Sequence, residues 1–390
     1  MNLLKLPPVV IEKLKKDLEK ALKALRCKQS LEQSLPVLEE GSAKQREVNM
    51  PIRVAINGFG RIGRLVLRAM LEREDTFKIV AVNDLASVDQ LAYLLKYDST
   101  QGTYPGVISV QDNEILIANQ RIKTMSLKNP ADLPWGENDI DVVIEATGLF
   151  RDVKTADKPG YDSHVDAGAK KVIITAPTKG PAEMVVLGVN DEVLKPDPIY
   201  ISNASCTTNS LAPVVKILHK ALHIERGLMV TVHAYTGEQM IVDAFHKSDL
   251  RRSRAGATNI IPTTTNAAAA IGKVIPELEG KLDGYALRVP VPAGSITDLT
   301  VNVRAKTDAE HVNKIIREAA ESDAAMKGIL EYISEPIVSS DIVGNPHSGI
   351  FDSLNTLVID GTMVKCTMWY DNEWGYSCRT AELAKKIAKP

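Results

Sequence analysis

Residues 51 to 70 read PIRVAINGFGRIGRLVLRAM, and the reading of this stretch decides the fold. Arg53 to Asn57 is an apolar strand. Gly58-Phe59-Gly60-Arg61-Ile62-Gly63 follows as a GxGxxG turn, and an amphipathic helix opens directly after it. That context makes an otherwise common motif informative. Gly58 permits the tight turn, Gly60 lets a backbone approach a pyrophosphate, and Gly63 allows the helix to pack closely on the strand. The helix N-terminus offers amide hydrogens and a partial positive charge to phosphate oxygens.

Working outward, KIVAVNDL is a second strand that ends near Asp84, 21 residues beyond Gly63. A carboxylate there accepts hydrogen bonds from the adenosine ribose hydroxyls and repels the extra phosphate of NADP, so the reading is NAD. VDQLAYLLKYD has helical spacing, and DVVIEATG and KKVIITAP are further buried strands. Strands alternating with helical patterns predict a parallel sheet. Beyond Cys206 the texture changes. GLMVTVHAYTGEQ and YALRVPVPAGSITDLTVNVRA alternate like long strands with one exposed face, as in an antiparallel sheet. Residues 306–322 read as helix, TMVKCTMWYD as strand, and the end of the chain as helix from about Tyr376. The expected fold class is α/β: a Rossmann NAD-binding domain plus a mixed α+β catalytic domain with a largely antiparallel sheet.

The first 49 residues differ from the rest. Ile11, Leu14, Leu18, Leu22 and Leu25 form one apolar stripe of a helix, and SLEQSLPVLEEGSAKQREVN follows as a polar linker. No continuous apolar core of a secretory signal is present, and Glu12, Asp17 and Glu19 interrupt the positive face that a transit peptide needs. The domain plan is therefore a helical extension and linker over 1–49, a Rossmann domain over 50–205 completed by a C-terminal helix over 372–390, and a catalytic domain over 206–371.

Composition sets the boundaries. The 390 residues are 44% hydrophobic and 25% charged with a formal net charge of −2, ordinary for a soluble globular protein and without the basicity that nucleic acid requires. Cys27, Cys206, Cys366 and Cys378 make neither a zinc spacing nor a disulfide scaffold, which points to a reducing, cytoplasmic setting and to no metal site. No apolar run is long enough for a membrane span.

One of these cysteines stands in SNASCTTNSLAP, residues 202 to 213. Cys206 opens the helix TTNSLAPVVKILHKAL, where the helix dipole favours a thiolate. A nicotinamide cofactor beside a reactive thiol suggests a specific chemistry. An aldehyde is a poor hydride donor until a nucleophile adds to its carbon; a thiolate can add, and hydride loss then leaves a thioester. His233, in TVHAYT, is the best base for that thiol, although its spacing from Cys206 does not by itself pair them. A buried structural cysteine is the bland alternative.

From Met50 onward the chain resembles phosphorylating glyceraldehyde-3-phosphate dehydrogenases of the bacterial type. The resemblance is carried by INGFGRIGR, VNDL, EATGLF, SNASCTTN, HAYT, DLRRSRAGATNIIPTTT, PELEGKLDGYALRVP and WYDNEWGYS, in the family's order over about 340 residues. It implies that Cys206 is the nucleophile and His233 its base, with His233 and the Cys206 amide holding the developing oxyanion. Thr236 and Arg288 match the site for the substrate's phosphate. Ser205, Thr207, Thr265 and Asn266 match the site for inorganic phosphate, with Asn266 replacing a glycine. Arg61, Ile62 and Asp84 match contacts to the adenosine and pyrophosphate, Lys128 and Thr175 further NAD contacts, and Asn372 the contact to the carboxamide. The segment from about Tyr235 to Thr258 matches an S-shaped loop near a neighbouring subunit's cofactor, which implies a homotetramer. Leu85 fits NAD preference, whereas Phe245 stands where NAD-specific members often carry proline. Ser210 replaces a frequent second cysteine, and residues 1–49 have no counterpart. The alternatives are the related erythrose-4-phosphate dehydrogenase, or a binding role added through the N-terminal helix. HAYT and ALRVP argue against aspartate-semialdehyde dehydrogenase.

Overall fold

A computed structural model of the chain describes residues 50–73, 75–178, 180–197 and 199–388. The helix expected over Ile11–Leu25 lies outside the described residues. The chain divides into a unit of Met1–Asn49 and one of Met50–Pro390, and the fold below is that of the second.

The first half runs β1 (Ile52–Asn57), α1 (Arg61–Leu71), β2 (Phe77–Asn83), α2 (Val88–Lys96), β3 (Ile108–Gln111), β4 (Glu114–Ile117), β5 (Gln120–Met125), β6 (Val142–Glu145), α3 (Ser163–Asp166), β7 (Lys171–Ile174), β8 (Glu183–Met184) and β9 (Tyr200–Ser202). Their sheet has the order β3-β4-β5-β2-β1-β6-β7-β9-β8. β1 is buried along almost its whole length, as a strand covered on both faces must be. α1 buries Leu65 to Leu71 against the sheet. α2 begins at a capping box, in which Ser87 accepts from the Gln90 amide and the Gln90 side chain accepts from the Ser87 amide.

The sheet is parallel at its centre but not throughout. β3, β4 and β5 form an antiparallel edge, which the alternation of strands and helices did not signal. Its two tight turns place Asp112 and Asn113 at φ 52° and 61° and Ala118 and Asn119 at φ 46° and 60°. Two successive left-handed residues form the type I′ turn that suits a hairpin. No glycine marks either turn, so the hairpins carry no conspicuous sequence signal.

The second half runs α4 (Cys206–Leu222), β10 (Ile224–Ala234), β11 (Ile261–Thr264), α5 (Ala267–Val274), β12 (Leu282–Val289), β13 (Ser295–Val303), α6 (Ala309–Ser322), β14 (Leu330–Ile333), β15 (Gly349–Ile359), β16 (Met363–Tyr370) and α7 (Trp374–Ala388). Its sheet has the order β11-β12-β10-β13-β16-β15-β14. It is largely antiparallel, with β10 and β12 parallel neighbours near one end and β14 and β15 at the other. α4, α5 and α6 cover one face and share a core of Leu211, Val214, Leu218, Ile271, Leu299 and Met368. The other face leaves Leu228, Tyr285, Leu357 and Met363 exposed. The stretch YALRVPVPAGSITDLTVNVRA is two strands joined by a turn at Gly294. α7 packs on α1 and β7. It begins at Trp374, so Asn372 and Glu373 belong to the preceding turn rather than to the helix. Among the described residues no helix is long and apolar enough to cross a membrane.

Candidate active site

The chain crosses from one sheet to the other at Asn203-Ala204-Ser205. Ala204 is held at φ 51°, a left-handed conformation that costs a non-glycine residue energy. Tyr376 donates its hydroxyl to the Ala204 carbonyl at 3.2 Å, and Asn209 donates its side-chain amide to the carbonyls of Asn203 and Ser205. Ser205 caps α4, its hydroxyl accepting from the Thr208 amide at 3.1 Å. The turn so fixed leaves Cys206 half-buried as the first residue of the helix.

β10 supplies the partner. Nε2 of His233 lies 3.4 Å from Sγ of Cys206. β12 runs parallel to β10 with Arg288 directly opposite His233, and its Nη1 comes within 2.7 Å of Nδ1. Tyr370, on β16, stands edge-on to the imidazole with centroids 5.9 Å apart. Its hydroxyl bonds those of Thr207 and Thr231 at 3.0 and 2.7 Å. Tyr370 lies in the stretch WYDNEWGYS, where its sequence context carries no signal of this role.

Burial pushes the Cys206 thiol above its ordinary value, against the lowering effect of the Arg288 charge. Desolvation thus opposes the thiolate that the helix N-terminus and the Arg288 charge favour. Burial, then Arg288, pushes His233 down to about 3, with the Ala234 carbonyl opposing. Both shifts disfavour the charged forms, so burial works against a thiolate–imidazolium pair at this site. Burial pushes Cys366 and Cys378 up to about 12, and both sit within apolar cores.

The phosphate-site residues fall in two places. Thr236 follows β10, the strand of His233, its amide and hydroxyl both donating to Oε1 of Gln239 at 2.8 and 3.1 Å. Thr265 and Asn266 stand at the start of α5, where the Thr265 hydroxyl accepts from the Ala267 amide at 3.2 Å. Asn266 is exposed at φ −97°, and its side chain makes no capping bond. The left-handed geometry that would require glycine is not used. Thr264, Thr265, Asn266 and Arg252 line a cavity of about 1210 Å³ that includes neither Cys206 nor Arg288. Arg252 donates to Glu238, Asp249 and the Thr264 carbonyl; the quoted DLRRSRAG contained it without singling it out. The Thr207 hydroxyl points to Tyr370 in the interior, so what it can offer an anion is its backbone amide.

The glycine turn fits a dinucleotide. Gly58 has φ 90°, and a Cβ there would stand 2.5 Å from the Thr147 amide nitrogen. A Cβ on Gly63 would stand 2.1 Å from the Gly58 carbonyl oxygen, whereas one on Gly60 meets nothing within 4 Å. Asp84 accepts from the Phe59 amide at 2.8 Å and the Ala86 amide at 3.2 Å, which ties the end of β2 to the turn. The Arg61 guanidinium is held by Asp98 at 2.6 Å and by Glu373. Arg61 and Ile62 thus offer a pyrophosphate their backbone amides at the head of α1. Thr175 donates to the Glu145 carbonyl at 3.0 Å, and Lys128 is exposed at the rim of the same sheet. Asn372 is buried, its Oδ1 accepting from the Ser295 hydroxyl at 2.9 Å. Beneath lies a buried group that sequence reading missed: Glu145 accepts from Asn57, from His164 and from the Thr147 amide.

A family model for the NAD binding domain of glyceraldehyde 3-phosphate dehydrogenase matches residues 52–153, and one for that enzyme's C-terminal domain matches residues 205–372. The glyceraldehyde-3-phosphate dehydrogenase of Borreliella burgdorferi is 52% identical over 340 residues, which are 87% of this chain and 100% of that protein. Glyceraldehyde-3-phosphate dehydrogenase 2 of Streptomyces arenae is 51% identical over 339 residues, 87% of this chain and 99% of that protein. The Mycobacterium leprae enzyme is 49% identical over 346 residues, with the same shares.

Proposed function

Because the chain belongs to the glyceraldehyde 3-phosphate dehydrogenase family, we propose how its own residues carry the family's NAD-dependent, phosphorylating oxidation of glyceraldehyde 3-phosphate. The observation that supports the assignment best is the 3.4 Å approach of Cys206 Sγ to His233 Nε2 at the head of α4. Cys206 adds to the aldehyde carbon, and the proton it loses goes to His233. The oxyanion that forms is held by the Cys206 amide and by His233. NAD supplies the hydride acceptor, which turns the hemithioacetal on Cys206 into a thioester. Gly58, Gly60, Gly63 and the amides of Arg61 and Ile62 cradle its pyrophosphate, Asp84 its ribose, Lys128 and Thr175 line its path, and Asn372 orients its carboxamide. Arg288 and Thr236 hold the substrate's phosphate. Ser205, Thr207, Thr265 and Asn266 hold the inorganic phosphate that attacks the thioester, giving an acyl phosphate and returning the sulfur of Cys206.

We further propose a cytoplasmic homotetramer. Support for assembly comes from Ile241, Val242, Phe245 and Leu250, each exposed on the loop that follows β10; a segment that exposes several large apolar side chains marks an interaction surface. Support for a reducing compartment comes from Cys206, Cys366 and Cys378, all unpaired.

The test is formation of NADH from glyceraldehyde 3-phosphate with phosphate present and absent, and with erythrose 4-phosphate instead. Strict phosphate dependence with glyceraldehyde 3-phosphate is expected. Faster turnover of erythrose 4-phosphate without phosphate would replace the assignment.

A further inference from the structure

β2, β1 and β6 lie side by side at the centre of the first sheet, and their last residues, Asn83, Asn57 and Glu145, stand in register. All three are buried, as are Trp135 and His164 beside them. Three chains of hydrogen-bond donors run towards Glu145. In the first, the Leu127 amide donates to Oδ1 of Asn83 at 2.9 Å, Nδ2 of Asn83 to Oδ1 of Asn57 at 2.7 Å, and Nδ2 of Asn57 to Oε2 of Glu145 at 2.7 Å. In the second, Nε1 of Trp135 donates to Nδ1 of His164 at 2.9 Å, which puts the ring hydrogen on Nε2, and Nε2 donates to the same Oε2 at 2.9 Å. In the third, the Leu149 amide donates to the Thr147 hydroxyl at 3.0 Å, and the amide and hydroxyl of Thr147 both donate to Oε1. All three chains end on one carboxylate, the side chain suited to accept without donating.

The polarity of the first chain is set at its far end. Asn83 holds both backbone groups of Leu127, Oδ1 taking its amide and Nδ2 reaching its carbonyl at 2.9 Å. Turning the Asn83 amide over would set donor against donor and acceptor against acceptor. Asn57 must therefore show Oδ1 to Asn83 and Nδ2 to Glu145. The same residues border the dinucleotide site. Gly58 follows Asn57, Asp84 follows Asn83, and Lys128 follows Leu127. Thr147 closes the group, its amide nitrogen lying where a Cβ on Gly58 would come within 2.5 Å. A buried polar network with every member satisfied holds its backbone in a single arrangement, and the carboxyl ends of parallel strands are where such sheets take their ligands.

We propose that Glu145 is a positioning residue for NAD: as the common acceptor of three donor chains it holds the Gly58 turn, the Asp84 and Lys128 segments and the Thr147 loop in the arrangement that binds the dinucleotide. The inference rests on the reading of Gly58, Asp84 and Lys128 as NAD contacts. A glutamine has the same shape but carries hydrogens on one of its two terminal atoms, so it must face donors with a donor whichever way it lies. Towards Thr147 it meets a backbone N–H that cannot turn. Towards Asn57 it forces that amide over, and the conflict passes through Asn83 to Leu127, beside Lys128. A second change can absorb the conflict. With Asn57→Asp the carboxylate moves one residue along the chain, where it accepts from Asn83 on one side and from Gln at position 145 on the other. Nε2 of His164 lies 3.5 Å from the Asn57 side chain, close enough to donate to the displaced carboxylate.

The experiment measures NAD binding to the full chain by calorimetry, together with the KM for NAD and the rate of Cys206 alkylation by iodoacetamide in NAD-free enzyme. Glu145→Gln should raise the dissociation constant of NAD about tenfold, the effect of one lost buried hydrogen bond. The KM for NAD should rise in step, and alkylation should keep its rate, because the thiol stands on another element. Glu145→Gln combined with Asn57→Asp should bring the dissociation constant back to within about threefold of the unaltered enzyme, the coupling that two residues of one network show. Unchanged affinity in the single variant, or no recovery in the double variant, overturns the proposal. So does a loss of alkylation rate equal to the loss of affinity, which a general loosening of the fold would produce. Asp84→Ala is the control for the site itself. If it binds NAD as tightly as the unaltered enzyme, the placement of NAD fails first and the role of Glu145 with it; if it binds weakly while Glu145→Gln binds normally, only the role of Glu145 fails. Should Glu145→Gln not fold, Asn83→Leu decides instead: it cuts the first chain between Asn57 and Leu127, leaves all four donors on Glu145, and should also weaken NAD about tenfold. Full affinity in that variant overturns the proposal.

Discussion

Ser295 gives its hydroxyl hydrogen to Oδ1 of Asn372 at 2.9 Å, and Oγ of Ser295 in turn accepts from the Ala234 amide at 3.0 Å. One buried hydroxyl thus joins the strand of His233 to the asparagine assigned to the nicotinamide. Ser295→Ala removes a bond from both and leaves Asn372 free to rotate. Loss of a buried hydrogen bond costs about 1–3 kcal/mol. Single-turnover NADH formation should slow about tenfold and the KM for NAD should rise, while the KM for phosphate stays put. Unchanged hydride transfer would remove Asn372 from the carboxamide.

Cys206→Ser should lose several orders of magnitude in turnover, because a serine hydroxyl is far less nucleophilic near neutral pH. Stoichiometric alkylation should reach Cys206 before Cys366 or Cys378, whose burial pushes both thiols up to about 12. Near-normal turnover of the serine enzyme would exclude the thioester route.

The depressed pKa of His233, about 3 against an ordinary 6.5, sets an acid liability in the unliganded enzyme. Above pH 6.5 neither the folded nor the unfolded form protonates this histidine, so it contributes nothing. As pH falls from 6.5 towards 3 only the unfolded chain takes up the proton, and stability declines by up to about 1.4 kcal/mol per pH unit. His233→Asn should flatten urea midpoints measured between pH 6 and pH 4. Parallel curves for the two proteins would refute the lowered pKa of His233.

Asn266 keeps the backbone amide a glycine would offer and adds an exposed side chain beside the Thr265 end of α5. Since its φ of −97° suits any residue, Asn266→Gly relieves no strain and should leave the melting temperature nearly unchanged. It should lower the KM for phosphate by a few-fold and leave the single-turnover hydride step alone. Changes confined to the hydride step would move Asn266 to acylation.

A chain beginning at Met50 should retain specific activity and assembly. The B. burgdorferi enzyme matches over 100% of its own length within 340 residues of this chain. Loss of NAD binding in the truncated protein would give the first 49 residues a structural duty.

The glycine turn was legible because its constraint is local: Gly58 and Gly63 sit where a Cβ would collide with backbone only a few ångströms away. The β3–β5 hairpins were not, because their strands are short and Asp112-Asn113 and Ala118-Asn119 make left-handed turns without glycine. At the site, Cys206 could be recognised from its motif, but its 3.4 Å approach to His233 depends on how β10 lies across the end of α4. The direction of its pKa also escaped the sequence. A helix terminus can be read from a pattern, whereas desolvation belongs to the packed molecule. Thr207 matched a phosphate ligand by type, yet its hydroxyl turns inward to Tyr370.

His233 and Arg288 face one another because β10 and β12 run side by side in the same direction, and Gly284 sits opposite Met229 in that ladder. A Cβ on Gly284 would lie 2.1 Å from the Met229 carbonyl oxygen, so any larger residue must wedge the two strands apart or slide one along the other. A slide of one residue turns every side chain of the strand to the opposite face and takes the guanidinium away from the imidazole. The enzyme's chemistry is therefore hostage to the missing side chain of Gly284, a residue with no part in the bond-making steps, and inactivating changes need not fall among the reacting groups at all.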